Sequence, residues 1–199
     1  HKINIQEKEM KIHEVIVTTI DINNNSHIAP MGINIRSNEV IIKPFKPSKT
    51  LDNLYSNSKA VINFIDDAKV FAGIITGEQR DWPLTMLSNS SLKRLTQANT
   101  HYLVEVQDIE DDEIRPVINC RILDKEIHRE FLGFNRAQFS IIEASVLTSR
   151  LGRISIEKIL EEIDYLKIGI EKTAGKNELE AWDWIQKKIR AFIESNNES

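Results

Sequence analysis

Residues 43–54 read KPFKPSKTLDNL, the stretch of the chain that holds most chemistry in fewest residues. Pro44 and Pro47 lack the N–H that a strand ladder needs, and Ser48 or Thr50 can cap a helix running on through Leu51 and Leu54. This predicts a strand, a bend and a helix start. A helix N-terminus carries roughly half a positive charge and unpaired N–H groups, so it favours anions. The hydroxyls of Ser48 and Thr50 and the ammonium groups of Lys46 and Lys49 stand beside it. Together they suit a phosphate. The same residues also make an ordinary capped helix with solvated lysines, and the stretch alone leaves both readings open.

A second stretch, HIAPMG at residues 27–32, adds a different chemistry. Ala29 and Gly32, small residues flanking Pro30, let a backbone come close to a flat ligand, and Met31 offers a soft, polarizable contact. A bend at the corner of a barrel would use the same residues.

Elsewhere the chemistry-bearing residues are dispersed. Cys120 is the single cysteine, which excludes a disulfide within the chain and a cysteine-based metal site, and suits a reducing, cytoplasmic setting. The five histidines form no HxH, HxxxH or HExxH pattern, so no metal site is assigned, and one would need long-range assembly. His101 and Glu105 alternate on a strand and can pair, but no serine or cysteine nucleophile accompanies them. The acidic run at residues 110–113 lacks the glycine-punctuated spacing of a calcium loop and reads as a solvated hairpin tip. Trp82, within RDWPL, is a candidate to stack over a ligand or to anchor an interface. Arg136 and Glu143 share a helix face; Arg136 reads either as a guard for an anionic substrate or as a buried tie behind a cap at Asn135. No catalytic residue is evident.

The elements that would position these residues divide the chain in two. From Ile12 to Ile65, β-branched runs alternate with turn-prone clusters such as DINNNS and RSN, and YLVEVQDI and PVINCRIL flank the acidic tip. So many short strands indicate a barrel or sandwich. After Phe134 the period changes to that of helices. Asn135 caps the first, with Gly152 as its stop; Ser155 caps the second; Asn177 with Glu180 forms a capping box for the third. The expected fold is α+β, with a barrel over residues 1–134 and a three-helix subdomain over 135–199. Charge is balanced, nine Lys/Arg against eleven Asp/Glu over residues 137–199 and seventeen against nineteen before them, so no basic half points to nucleic acid. Apolar runs are far shorter than a membrane span, the opening HKINIQEKEM has no apolar leader, and His1 reads as a remnant of expression.

Taken in order, VIVTTI, HIAPMG, KPFKPSKTLDNL and AVINF resemble the flavin-binding half of the flavin-reductase-like FMN-binding split barrels. HYLVEVQDIEDDEIRP and FLGFNRAQFSIIEASVLTSRL are similar to an uncharacterised archaeal family of such proteins that carries a C-terminal helical domain. The resemblance implies an antiparallel split β-barrel, FMN as cofactor and a homodimer. It implies that Ser48, Lys49 and Thr50 take the phosphate with Asn53 near it and Lys46 a weaker candidate, while Ala29, Pro30, Met31 and Gly32 border the ring. Phe45 would cover the ribityl chain or fill the barrel; Asn63 would satisfy buried backbone or touch flavin. His27 stands where many members have Asn. The implied function is that of an FMN-dependent oxidoreductase of unidentified substrate. A non-catalytic flavin carrier or sensor with a protein partner is the alternative, and a barrel holding another phosphorylated ligand a third reading.

Overall fold

The computed structural model describes residues 10–197; the opening segment with His1 lies outside them. Among the described residues eight strands and five helices follow in order: β1 (Ile12–Ile20), β2 (Ser26–Arg36), β3 (Glu39–Ile42), α1 (Lys49–Asn57), β4 (Lys59–Phe64), α2 (Lys69–Thr76), β5 (Leu84–Met86), β6 (Lys93–Leu95), β7 (Thr100–Glu110), β8 (Val117–Ile127), α3 (Arg136–Ser149), α4 (Ile156–Thr173) and α5 (Lys176–Asn197).

Six strands close into an antiparallel barrel in the order β1-β2-β3-β8-β7-β4, with β4 returning to β1. Alternation dictates what fills it. Val15 and Val17 of β1 point inward with Ile33, Val40, Ile62, Val104 and Ile118, while Leu51 and Leu54 of α1 pack into the same cluster. Each such side chain removed from water contributes about 1.5–3 kcal/mol. The opposite face of β1 and β4 places Ile20 and Val61 against Leu92, next to the small β5-β6 hairpin. Asn63, fully buried, donates to the Ile16 carbonyl and Thr18 Oγ1 and accepts from the Leu95 amide, so its amide serves the backbone.

β2 is shared unequally by its neighbours. β1 pairs with it from Ser26 to Asn34, but β3 takes the opposite edge only from Ile33 onward. Residues 28–32 therefore have one edge without a strand neighbour among the described residues.

The helical unit consists of the chain from Phe131 onward together with Asp66–Trp82, and the barrel unit of the chain up to Ile65 with Pro83–Glu130. The unbroken division at 134/135 expected from sequence thus differs from the structure by one excursion: α2 belongs with the helices. Its Ala68 and Ala72 pack with Ala137, Ile141, Ile163, Trp182 and Ile185. Trp82 belongs here too, its indole N–H donating to the Gln79 carbonyl at 3.0 Å and its ring lying beside Gly73. Asn135 caps α3 and Ser155 caps α4 as expected. At α5 it is Glu178, not Glu180, that reaches back to an amide, that of Gly175, because Glu180 pairs with Lys69. Arg136 is exposed rather than buried.

Candidate functional site

The two stretches singled out by their chemistry meet on the barrel unit. An open groove of ≈ 430 Å³ is lined on one side by His27, Ala29, Pro30, Met31 and Gly32 of β2. The β3-α1 connection supplies the other side through Pro44, Phe45, Pro47, Ser48, Lys49 and Thr50. Its size falls within the range of about 300–1,000 Å³ typical of small-molecule sites. Because β3 pairs with β2 only from Ile33 onward, residues 28–32 have no strand neighbour on the edge away from β1 among the described residues, and backbone groups there remain for a ligand, except at Pro30, which has no N–H.

Ser48 is extended (φ −143°, ψ 119°) and its Oγ accepts from the Leu51 amide at 3.2 Å. A hydroxyl that accepts in this way still has its proton to donate. Thr50, Asn53 and Leu54 share the buried face of α1, and Asn53 Nδ2 donates to Thr19 Oγ1 at 2.9 Å, tying that face to β1. Asn53 thus orients the helix from beneath and does not line the groove. Thr50 is 0 % exposed, yet its Oγ1 has no hydrogen-bond partner among the described residues. A buried hydroxyl left unpaired costs about 1–3 kcal/mol, so a polar atom of this kind at a helix N-terminus in a groove marks where a ligand oxygen fits.

The β7-β8 hairpin brings in a residue that sequence reasoning missed. Arg115 lines the groove, its Nε donating to the Lys43 carbonyl at 3.0 Å and its guanidinium lying 4.5 Å from the centre of the Phe45 ring. That contact holds Phe45 at the rim, where it is 61 % exposed rather than part of the core. Lys43 lines the groove as well. Neither residue carries a local signal, since Arg115 reaches the groove only through strand pairing. The hairpin tip is ordered by its own acids: Asp112 accepts from the Ile114 and Arg115 amides, which holds its carboxyl below the usual range. Asp111 pairs with Lys46 at 2.7 Å, a hydrogen bond that lowers the Asp111 carboxyl and raises the Lys46 ammonium. Lys46 is therefore committed to the hairpin and stands outside the lining, as does Trp82.

Of the remaining candidates, His101 and Glu105 do not meet. Glu105 pairs with Arg121 at 2.7 Å, and His101 faces His128. Burial pushes the Cys120 thiol up to about 12, which makes it an inert core residue. Among the described residues no helix is long and apolar enough to cross a membrane.

A closed six-stranded antiparallel barrel with an open groove beside a capped helix start is the architecture of the flavin-reductase-like split barrels. The structure resembles a putative flavin reductase with a split barrel domain from Shewanella frigidimarina (TM-score 0.52, 13% identity, 61% of this chain and 69% of that one). It is similar over far more of its length to the FMN-bound protein MM1853 from Methanosarcina mazei (TM-score 0.78, 20% identity, 93% of this chain and 100% of that one). The chain belongs to the family described as protein of unknown function DUF447, matching its N-terminal domain over residues 13–129 and its C-terminal part over residues 135–187. It is also 27% identical over 152 residues to the uncharacterized protein MJ1453 of Methanocaldococcus jannaschii, covering 73% of this chain and 78% of that protein.

Proposed function

We propose that this protein binds FMN in the β2/α1 groove and acts as an oxidoreductase. The observation that carries the reading is the unpartnered, fully buried Thr50 Oγ1 at the N-terminus of α1. The residues present fit the cofactor. Thr50 and Ser48 donate hydroxyl hydrogen bonds to the terminal phosphate, Lys49 contributes a point charge, and the first amides of α1 point the same way. Ala29 and Gly32, small residues of the lining, leave room for a planar ring, with Met31 as a polarizable contact. Arg115 supplies a further cation on the far wall, and Phe45 closes over the linker between ring and phosphate. When bound, FMN supplies the redox chemistry. The chain positions it and sets the polarity around its ring through β2 backbone groups. The exposed Phe45 rim is where a second copy would close the groove, so the protein functions as a homodimer in this reading.

The testing experiment is a titration of the purified protein with FMN and with riboflavin. FMN binds tightly and riboflavin at least tenfold more weakly, since the phosphate contacts are missing; equal affinities overturn the phosphate site. Oxidation of a nicotinamide or deazaflavin donor by the FMN-loaded protein separates an enzyme from a carrier, which binds without turnover. Sedimentation of the FMN-loaded protein as a monomer removes the homodimer.

A further inference from the structure

We propose that His101, Glu126 and His128 form a site for a divalent transition-metal ion of the zinc type, on the barrel unit and independent of the flavin reading.

The β7-β8 ladder assembles it. His101 lies directly across from Glu126, and His128 follows Glu126 by two residues, which returns its side chain to the same face. The His128 amide donates to the Asn99 carbonyl at 2.7 Å and fixes the end of the strand. One ligand atom from each of the three side chains lies within 4.8 Å of the others. Sequence spacing conceals this, because 27 residues separate the two histidines.

The imidazoles are set for more than packing. His101 Nδ1 and His128 Nε2 stand 2.8 Å apart, the ring planes differ by 10°, and the centroids are 5.0 Å apart. Ring nitrogens lie on the perimeter, so nitrogens much closer than the centroids mean rings that meet edge to edge, each aiming a nitrogen at the other. Two facing nitrogens accommodate a single proton between them. A metal ion takes the place of that proton, with both imidazoles neutral; the displaced proton passes to the other nitrogen of its ring or to solvent. Zinc–nitrogen bonds of about 2.0–2.1 Å at a tetrahedral angle need the nitrogens roughly 3.3 Å apart, an opening of about half an ångström, with each ring turned by roughly 35° so that its lone pair points at the ion. Glu126 is the mobile member. Its Oε1 is 3.8 Å from His128 Nδ1 and its side chain is 62 % exposed, so a rotamer change brings a carboxylate oxygen into the coordination sphere. Two imidazoles and a carboxylate leave the fourth position to water or to an external ligand, the pattern of an open zinc site.

The test uses the full-length protein, freed of metal with a chelator and titrated with Zn²⁺ and separately with Co²⁺, whose visible absorption reports low-symmetry nitrogen ligation. One ion binds per chain. His101→Gln and His128→Gln each weaken it by roughly a hundredfold, and Glu126→Gln by roughly tenfold, on the scale by which metal sites respond to loss of neighbouring groups. FMN titration is unchanged in all three variants. Imidazole ¹⁵N shifts in the wild-type protein move at both facing nitrogens on adding Zn²⁺, a readout that survives if a histidine variant fails to fold. Zn²⁺ binding that is equal in the wild type and Glu126→Gln, with no ¹⁵N response, overturns the site and leaves a purely structural histidine pair.

Discussion

Two helices of this protein begin with the same device and end in opposite states. At α1, extended Ser48 accepts from the third amide of the helix; at α3, extended Asn135 accepts from the Gln138 amide at 3.0 Å. At α3 the chain completes the account. Thr173 Oγ1 accepts from the Ala137 amide at 2.9 Å while Asn135 Nδ2 donates to the Thr173 carbonyl at 3.1 Å, so another helix closes the N-terminus. At α1 a threonine is also present, but its hydroxyl is buried with no partner among the described residues. Equal caps thus serve unequal ends. On the proposed FMN reading, what separates the two ends is not the capping residue but whether the protein supplies the remaining partners.

The largest test of that contrast is exchange of the groove residues. Thr50→Ala and Lys49→Ala each weaken FMN about ten- to a hundredfold in a fluorescence titration, the loss of one charge-assisted hydrogen bond of about 1.5–3 kcal/mol. Raising the salt erodes the Lys49 share more than the Thr50 share, because an exposed charge is screened. His27→Ala, the control, changes affinity less than either. At the other helix, Thr173→Val strands the Ala137 amide and lowers stability by about 1–3 kcal/mol in urea denaturation, with FMN affinity unaltered. If Thr173→Val weakens FMN as much as Thr50→Ala does, the distinction between the two ends fails.

A smaller effect has the opposite sign. Thr50→Val keeps the shape and removes an unpaired buried hydroxyl, so the ligand-free protein gains about 1 kcal/mol in thermal or chemical denaturation while FMN binding drops. A loss of stability on that substitution means the hydroxyl already has a partner. Smallest is Lys46→Ala, which changes FMN affinity less than Lys49→Ala because Lys46 is held by Asp111. The Asp111 carboxyl is lowered in the folded protein, so its share of stability is present above the ordinary carboxylate pKa near 4 and fades as pH falls through the lowered value. Both groups are solvent-exposed, and acid titration of Asp111→Asn against the wild type shows only a slight difference.

Local chemistry made half of this readable in advance. Ser48 as a cap, the helices starting at Asn135 and Ser155, and the strands on either side of the acidic tip all follow from neighbours within a few residues. Thr50, Lys49 and residues of the 27–32 stretch line one groove because one strand pairing suffices to join them. Arg115 and Lys43 escaped, since their place depends on the register of β7, β8 and β3. α2 escaped for another reason: KVFAGIIT is too short and too uniformly apolar for its period to show, and its helical state depends on packing by α3 and α5. The histidine pair needed a register that alternation alone does not set.

The excursion of Asp66–Trp82 into the helical unit has a consequence for synthesis. α2 leaves the ribosome about sixty residues ahead of α3. At about 5–20 residues per second Ala68 and Ala72 wait some 3 to 12 seconds for α3 and about 5 to 20 seconds for α5. The barrel strands β7 and β8 emerge during that interval, so the nascent chain must carry Ala68 and Ala72 without their helical partners while the barrel is still incomplete.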